Sequence, residues 1–488
     1  MKRLLALAVG GFILLFTAPV ATAAPSSQVS RTPVLSEASL ASAAAQPQGV
    51  SQPSTEQETK EVTRYTLPPP LYRKAHRLGQ ISFWGELAGT VYSWVILLLV
   101  LNWRLAPKYR DWAERISGVK IVQALIFAPP LVVTIGVLTM PLDVAQHSVS
   151  RRFGISIQGW ASWLWDWTKQ EIVFVIMATF LVWILYAVIR KSPRRWWFYF
   201  WLVSLPLMAF LVFVQPVVID PLFHKFEPLA QKDPPLTAKL EELVQRAGQN
   251  IPPSRMFWMG AGAKTTALNA YVTGIGASKR IVVWDTTIRK MDTPQIVFVV
   301  GHEMGHYVLN HIWKGMAVGA VGLFVLFYLG FRTIGWVLAR GGQDRASTGP
   351  GLASDPLRAP GVGPPLQNLK PAENWDIRGV DDWASLPALL LLISVFSFIG
   401  TPIGSAFSRH VEHQADQYGL EVTHGLTPDS SQVAAQSFQI LGEVDLADPA
   451  PNPVDVFLFY SHPPIPDRIR FALTYDPWAH GKQPEFVK

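Results

Sequence analysis

The chain lacks cysteine altogether and is poor in charged residues. With no cysteine among 488 residues, disulfide bridges and thiolate catalysis are excluded. Charged residues make up only 16% of the chain and mean hydropathy is +0.22, which is atypical of a soluble domain. The chain also contains no nucleophile-elbow motif, phosphate-binding loop or dinucleotide fingerprint. These absences leave a metal-activated water as the only credible nucleophile if the protein is a hydrolase.

Long apolar runs indicate an integral, multi-pass membrane protein. Six runs are each about long enough to cross a hydrocarbon core of roughly 30 Å. The predicted spans lie near residues 87–103, 121–142, 172–189, 196–214, 315–331 and 386–407. Lys and Arg flanking these runs explain the net charge of +7, so we predict a lipid bilayer as partner and no nucleic acid.

The first residues predict either a signal peptide or a first membrane helix. A basic start, an apolar stretch and Ala21-Thr22-Ala23 together form a secretory cleavage pattern over residues 1–23. Residues 24–60, rich in Ser, Ala, Gln and Pro, predict a disordered linker. A cleaved signal would suit a protein of the bacterial cytoplasmic membrane.

The pentapeptide H-E-M-G-H at residues 302–306 carries the chemistry of a zinc site. Its two histidines, His302 and His306, are four residues apart on one helix face and can bind one Zn²⁺. Glu303 is placed to act as general base on a water molecule that the metal activates. Pro294, next to the plausible cap Thr293, predicts that a helix carrying the motif begins there.

A third protein ligand is expected from the segment S-R-H-V-E-H-Q-A-D at residues 408–416. His311 does not have the spacing of a third metzincin histidine, so we predict a carboxylate ligand, Glu412, from a later helix. Arg409 and Asp416 share a helix face with Glu412. We expect Asp416 to hydrogen-bond a zinc-ligating histidine and Arg409 to balance the carboxylates.

Further segments accompany these two motifs along the chain. They are P-L-F-H-K-F-E-P-L at 221–229, N-A-Y-V-T-G at 269–274, R-I-V-V-W-D-T at 280–286 and S-H-P-P-I-P-D-R-I at 461–469. In this order, over roughly residues 61–476, the motifs resemble those of the CAAX prenyl protease 1 family of integral-membrane zinc endopeptidases.

The resemblance implies one Zn²⁺ per chain and additional site residues. Asn269 and Ala270 would contact the backbone of an extended substrate at the edge of a small sheet. His462 and Arg468 would lie near the metal and steady the oxyanion or the substrate terminus. The implied activity is removal of the last three residues of a prenylated C-a-a-X protein, and the implied partner is a peptide or protein substrate.

The predicted fold class is mainly α: a multispanning membrane helical protein with a small α+β, gluzincin-like zinc-metalloprotease domain. Residues 235–311 alternate helix and strand in a compact α+β pattern. The predicted segments are an N-terminal membrane domain of about four helices at 61–230, a zinc metallopeptidase domain at 231–476 that includes two further spans and a flexible loop at 339–385, and a tail at 477–488.

Substrate and orientation remain open at the level of sequence. A bacterial envelope protein is not expected to meet prenylated substrates, so quality-control endoproteolysis of unprenylated membrane proteins is an alternative. A non-enzymatic, transporter-like protein is another, and it would need neither metal nor Glu303. The Lys and Arg clusters of the early loops place the zinc site on the outer side of the membrane, whereas the resemblance implies a cytoplasmic-facing site.

Overall fold

The structure, a computed structural model, describes residues 61–341 and 375–487. The predicted signal peptide or first helix at 1–23 and the predicted linker at 24–60 lie outside the described residues. The helices are α1 (Pro69–Asn102), α2 (Leu105–Ile116), α3 (Lys120–Phe153), α4 (Trp160–Lys191), α5 (Trp196–Val218), α6 (Leu229–Lys232), α7 (Pro234–Arg246), α8 (Asp285–Lys290), α9 (Thr293–Val308), α10 (His311–Gly341), α11 (Leu386–Thr423), α12 (Ser430–Asp445), α13 (Pro453–Leu458) and α14 (Ile465–Thr474). The strands are β1 (Phe226–Pro228), β2 (Met256–Met259), β3 (Ala270–Thr273) and β4 (Arg280–Trp284).

Six helices of the described part are long and apolar enough to cross a membrane: α1, α3, α4, α5, α10 and α11. Each contains one of the predicted spans. Several are much longer than predicted, because polar residues continue the helix beyond the apolar run. Helix α11, with 38 residues, is about 57 Å long, well beyond the roughly 30 Å of a hydrocarbon core. Such helices therefore extend out of the membrane and carry residues of the catalytic domain.

The segment before α11 is packed, although the sequence predicted a flexible loop over 339–385. Of that loop, residues 342–374 lie outside the described part of the chain. In residues 375–385, the Asp382 carboxylate accepts a hydrogen bond from buried Arg110 at 2.6 Å. The indole of Trp383, 1% exposed, packs on Tyr186 with ring centroids 4.8 Å apart. Contacts with α2 and α4 hold residues 375–385 in place, although their sequence shows no periodicity.

A small four-stranded sheet lies beside α9, the helix with the H-E-M-G-H motif, in the order β1-β2-β4-β3. Strand β2 runs parallel to β4, while β1 and β3 run antiparallel to their neighbours. Strand β3, which carries the N-A-Y motif, is therefore an edge strand. The strands predicted at 255–259 and 279–285 correspond to β2 and β4, whereas β1 was missed because three residues ending in proline give no periodic signal.

The C-terminal tail folds back onto α11. Glu421, 1% exposed, accepts hydrogen bonds from the backbone N–H groups of Glu485, Phe486 and Val487 at 3.1, 2.6 and 2.8 Å. Three successive N–H donors on one buried carboxylate offset the cost of burying its charge. The tail is thereby fixed to the helix that carries the predicted third zinc ligand.

Candidate active site

Helix α9 presents the H-E-M-G-H motif to the interior of the catalytic domain. It begins as the sequence predicts, with Pro294 in the first turn and a capping box between Asp292 and Gln295. Along the helix, His302 and His306 are 6% and 3% exposed. Their rings lie one turn apart on the same face, with centroids separated by 5.1 Å.

Glycines allow α11 to approach α9 closely. A Cβ atom at Gly419 would lie 3.2 Å from the backbone nitrogen of His302, and one at Gly305 would lie 3.1 Å from the Tyr418 side chain. Both distances are tighter than ordinary van der Waals contact, so these positions favour glycine. The close approach brings the carboxylate of Glu412 on α11 to the two histidines of α9.

Three buried ligand atoms converge as the sequence predicts. Glu412 Oε2 lies 3.2 Å from His302 Nε2, Glu412 Oε1 lies 3.7 Å from His306 Nε2, and the two Nε2 atoms are 3.3 Å apart. A tetrahedral Zn²⁺ with bonds of about 2.0–2.1 Å separates neighbouring ligand atoms by roughly 3.3–3.4 Å. Two of the three separations match this geometry, and the third, between His306 and Glu412, is a few tenths of an ångström longer, so the three side chains could hold one metal ion.

The groups around His302 also favour a positive charge between the ligand side chains. The Nδ1 atom of His302 faces a carboxylate oxygen of Asp416 at 2.8 Å, which favours a proton on Nδ1 and leaves Nε2 to bind a metal. Glu412 Oε2 is buried and lies 3.2 Å from both His302 Nε2 and His462 Nε2. Burial disfavours positive charge here, but the Asp416 and Glu412 carboxylates outweigh it and raise the pKa of His302 to about 10. The site thus stabilises positive charge where the lone pairs converge.

Asp416 links the His302 ligand to Arg468. Its two carboxylate oxygens accept hydrogen bonds from Arg468 Nε at 2.9 Å and Nη2 at 2.5 Å, and Asp416 is 1% exposed. Asp416 therefore lies beside His302, the position from which the sequence analysis expects it to orient this side chain. Arg468 lies close to the site, as expected, with its guanidinium bound to Asp416.

A third histidine, His311, also contacts the site, although no role was predicted for it. Its Nδ1 lies 3.1 Å from His306 Nδ1, and its Nε2 lies 3.0 Å from Gln414 Oε1. Because an amide oxygen only accepts, His311 Nε2 donates to Gln414, and His311 Nδ1 accepts the proton of His306 Nδ1. His306 Nε2 is then free to bind metal. The only signal in the sequence was the unusual closeness of His311 to the motif.

Of two further predicted site residues, His462 borders the ligand cluster and Arg409 does not. His462 Nε2 lies 3.2 Å from Glu412 Oε2 and the side chain is half exposed, so it borders both the ligand cluster and solvent. Arg409 instead donates to the backbone oxygens of Val456 and Tyr460, each at 2.7 Å. The structure therefore gives Arg409 the role of fixing the segment around α13, and the expected balance of the carboxylates is provided by Arg468.

Glu303, the predicted general base, lies among the ligand residues on α9. Burial raises the pKa of Glu303 to about 8, and the negative charge of Glu412 acts in the same direction. A carboxyl group with a pKa raised toward neutrality can both accept and return a proton under physiological conditions.

The edge strand β3 lies next to α9, and the residue before it, Asn269, has a side-chain hydrogen-bond donor directed to no acceptor among the described residues. Tyr307 of α9 donates from its hydroxyl to the backbone oxygen of Gly274 at 3.0 Å, which fixes the end of β3 to the zinc helix. The side-chain Nδ2 of Asn269, just before the strand, is buried without a hydrogen-bond partner among the described residues. Ala270, the first residue of β3, pairs with Val283 of β4 on its inner side only.

Comparisons with known proteins agree with this geometry. The family model for peptidase family M48 matches residues 230–476, and that for the CAAX prenyl protease N-terminal region, described as five membrane helices, matches residues 54–225. The metalloprotease YhfN of Bacillus subtilis is 36% identical over 385 residues, covering 79% of this chain and 81% of that protein. The mouse CAAX prenyl protease 1 homolog is 22% identical over 439 residues, covering 80% of this chain and 82% of that protein.

A solved structure has the same fold. The crystal structure of Ste24p from S. mikatae aligns with a TM-score of 0.66 at 21% identity, covering 86% of this chain and 93% of that one. The predicted fold class, a multispanning helical membrane protein with a small metalloprotease domain, is confirmed. The predicted peptidase activity is confirmed at the level of the family, which removes the support for a transporter-like protein. The chain belongs to peptidase family M48 and to the CAAX prenyl protease 1 family of integral-membrane metalloproteases.

Proposed function

We propose that the metal is a single Zn²⁺ held by His302, His306 and Glu412, with Glu303 as the general base of peptide hydrolysis. The observation that supports this most strongly is the convergence of three buried side chains, whose nearest ligand atoms are 3.2–3.7 Å apart in each pair. Glu303 lies between the two histidines on the same helix, which is where a base must stand to reach a water molecule beside the ion.

The roles of the chain's own residues follow from their contacts. Bound zinc supplies Lewis-acid polarisation of the scissile carbonyl and lowers the pKa of water. Glu303 accepts the proton of the attacking water and returns it to the leaving amine. Asn269 Nδ2, which is buried without a partner among the described residues, donates to a backbone oxygen of the substrate. His462, at the solvent border of the site, donates to the developing oxyanion.

Arg468 acts through Asp416 in this proposal. Both carboxylate oxygens of Asp416 receive hydrogen bonds from the guanidinium, and one of them also faces His302 Nδ1. The buried pair keeps Asp416 ionised and aimed at His302, which fixes the ring orientation and increases the basicity of the ligand nitrogen. We assign Arg468 this positioning role in preference to direct contact with the oxyanion.

The substrate we propose is an extended peptide segment of a membrane-associated protein that pairs with the open edge of β3 beside Ala270. The relatives named as CAAX prenyl proteases favour a prenylated C-terminus, whereas the Bacillus subtilis relative and the secretory pattern of residues 1–23 favour a bacterial cytoplasmic membrane and an unprenylated substrate. Both substrates use the same site, so a direct comparison of the two decides between them.

The test compares parent and Glu303→Gln protein, purified in detergent, on two matched peptides. One peptide is a prenylated C-a-a-X sequence and the other is an unprenylated membrane-protein fragment. We expect about one zinc per chain in both proteins and a loss of at least about 100-fold in cleavage for Glu303→Gln, because general-base catalysis typically contributes 10²–10⁴-fold. The exposed Glu242→Gln serves as the control and should cleave like the parent. Equal cleavage by Glu303→Gln would contradict the assignment of the base.

A further inference from the structure

A cavity of about 180 Å³ opens beside the zinc ligand His306 and beyond the end of β3. Its walls come from three elements: the turn that follows β3, the junction of α9 and α10, and the membrane helix α5. The principal lining residues are Gly274, His306, Tyr307, Ile312, Trp313 and Phe213. The cavity therefore connects the metal site, the open edge of the sheet and the membrane helices.

The position of the cavity along the cleft can be estimated from α9. Tyr307 lines it and follows Glu303 by four residues, which is one helical turn or roughly 6 Å along the axis. An extended peptide rises about 3.3 Å per residue, so roughly two residues of substrate cover this distance. The hydrogen bond from Tyr307 to Gly274 fixes the end of β3 at the same level. A peptide paired with β3 would thus reach the cavity two or three residues from the scissile bond.

The aromatic and aliphatic residues that line the cavity favour a large apolar side chain of the substrate. Phe213 and Trp313 pack with ring centroids 5.7 Å apart and form one apolar side together with Ile312. Lys279 also lines the cavity, but its ammonium group donates to Gln249 at 2.6 Å and stands over the Tyr307 ring at 5.5 Å. The ammonium group of Lys279 is thereby held to one side of the cavity, away from Phe213, Ile312 and Trp313.

We infer that this cavity is a specificity subsite that takes a large apolar substrate side chain, such as Leu or Phe, two or three residues from the scissile bond. The inference rests on the proposed function, because it requires a peptide on β3. It assigns substrate selectivity to the junction between membrane helices and sheet, so that the apolar segments of membrane-associated proteins are favoured over polar ones. Burial of one methylene group in such a pocket typically discriminates by 10-fold or more.

The test uses a peptide series in which each position within three residues of the scissile bond is Ala, Leu, Phe or Asp in turn. We expect one position at which Leu or Phe exceeds Ala by at least about 10-fold in kcat/KM, and the Asp peptide shows whether Lys279 also contributes at that position. Trp313→Ala removes an apolar wall and should reduce the Leu-to-Ala ratio at that position to below about 3-fold. Trp336→Ala, the matched change farther along the same helix, should keep the parental ratio.

Binding to Glu303→Gln protein separates this inference from the proposed function. If the apolar peptide binds Glu303→Gln at least about 10-fold more tightly than its Ala counterpart, and Trp313→Ala removes the difference, the subsite stands even where the parent cleaves nothing. If the parent cleaves the series without preference at any of these positions, or if the preference survives in Trp313→Ala, the subsite is wrong while the protease assignment stands.

Discussion

Replacement of Asp416 by alanine should weaken zinc binding and destabilise the fold at the same time. Asp416 is 1% exposed and contacts both His302 Nδ1 and the guanidinium of Arg468. Loss of a carboxylate that orients a metal-ligating histidine typically lowers metal affinity 10–100-fold. Loss of one partner of a buried ion pair leaves the other charge uncompensated and costs about 3–5 kcal/mol. Asp416→Ala should show both effects.

The companion variant Arg468→Met compares the loss of stability with the loss of zinc affinity. It also breaks the buried pair, so we expect a comparable loss of stability. Because Asp416 still faces His302 but is no longer held by the guanidinium, the zinc affinity should fall by less than in Asp416→Ala. The double variant should regain part of the stability without regaining the affinity, because no charge is left unpaired. Zinc affinity is measured by competition with a chromophoric chelator and stability by thermal unfolding in detergent. Parental zinc affinity in Asp416→Ala would refute the orienting role of Asp416, and parental zinc affinity in Arg468→Met would refute the positioning role of Arg468.

Three further changes test other parts of the structure. His311→Ala removes the acceptor for His306 Nδ1 and should lower zinc affinity about 10–100-fold in the same competition assay; unchanged affinity would show that the contact is not needed. Burial raises the pKa of Asp445 to about 8, so the stability it contributes at low pH is lost as pH rises toward 8; Asp445→Asn should abolish this loss and raise the melting temperature at pH 9, whereas an equal pH dependence in both proteins would contradict it. Deletion of residues 485–488 leaves the Glu421 carboxylate without its three backbone donors and should lower the melting temperature, with partial recovery in the shortened Glu421→Gln protein; an unchanged melting temperature would show that the tail contributes no stability.

The residues that we propose as zinc ligands could be named from the sequence because helical geometry fixes their relative positions locally. Two histidines four residues apart on one helix must share a face, and the same holds for Glu412 and Asp416 on α11. The six membrane spans were predictable for a related reason, since apolar length alone is required to cross a bilayer. In each case a short-range periodicity carries the information.

Contacts that depend on how the chain turns were not predictable. His311 reaches His306 because the chain breaks between α9 and α10 at Asn310, which adopts a φ of 58° and redirects the next helix. The pairing of Arg468 with Asp416 joins residues 52 positions apart, and no local pattern distinguishes it from a surface ion pair. Arg409 shares a helix face with Glu412, yet backbone oxygens of a distant segment take its hydrogen bonds.

The full length of the membrane helices was also not predictable from hydropathy. Hydropathy marks the apolar part of α1 from residue 87, but the helix begins at Pro69, because its first turns pack against the catalytic domain and the helix continues through polar sequence. The segment at 375–385 was likewise expected to be a loop, and the burial of Asp382 and Trp383 against the membrane helices orders it. Tertiary packing decides such boundaries, and it leaves little trace in a single sequence.

The zinc content of Glu412→Ala tests the central assignment most directly. Parent, Glu412→Ala and the control Glu242→Gln are purified in detergent, dialysed against the same limited zinc concentration and analysed for metal per chain. We predict about one zinc per chain in the parent and in Glu242→Gln, and a clear loss of zinc in Glu412→Ala, because two histidines alone do not complete a catalytic zinc site. Full zinc occupancy in Glu412→Ala would contradict the site formed by His302, His306 and Glu412.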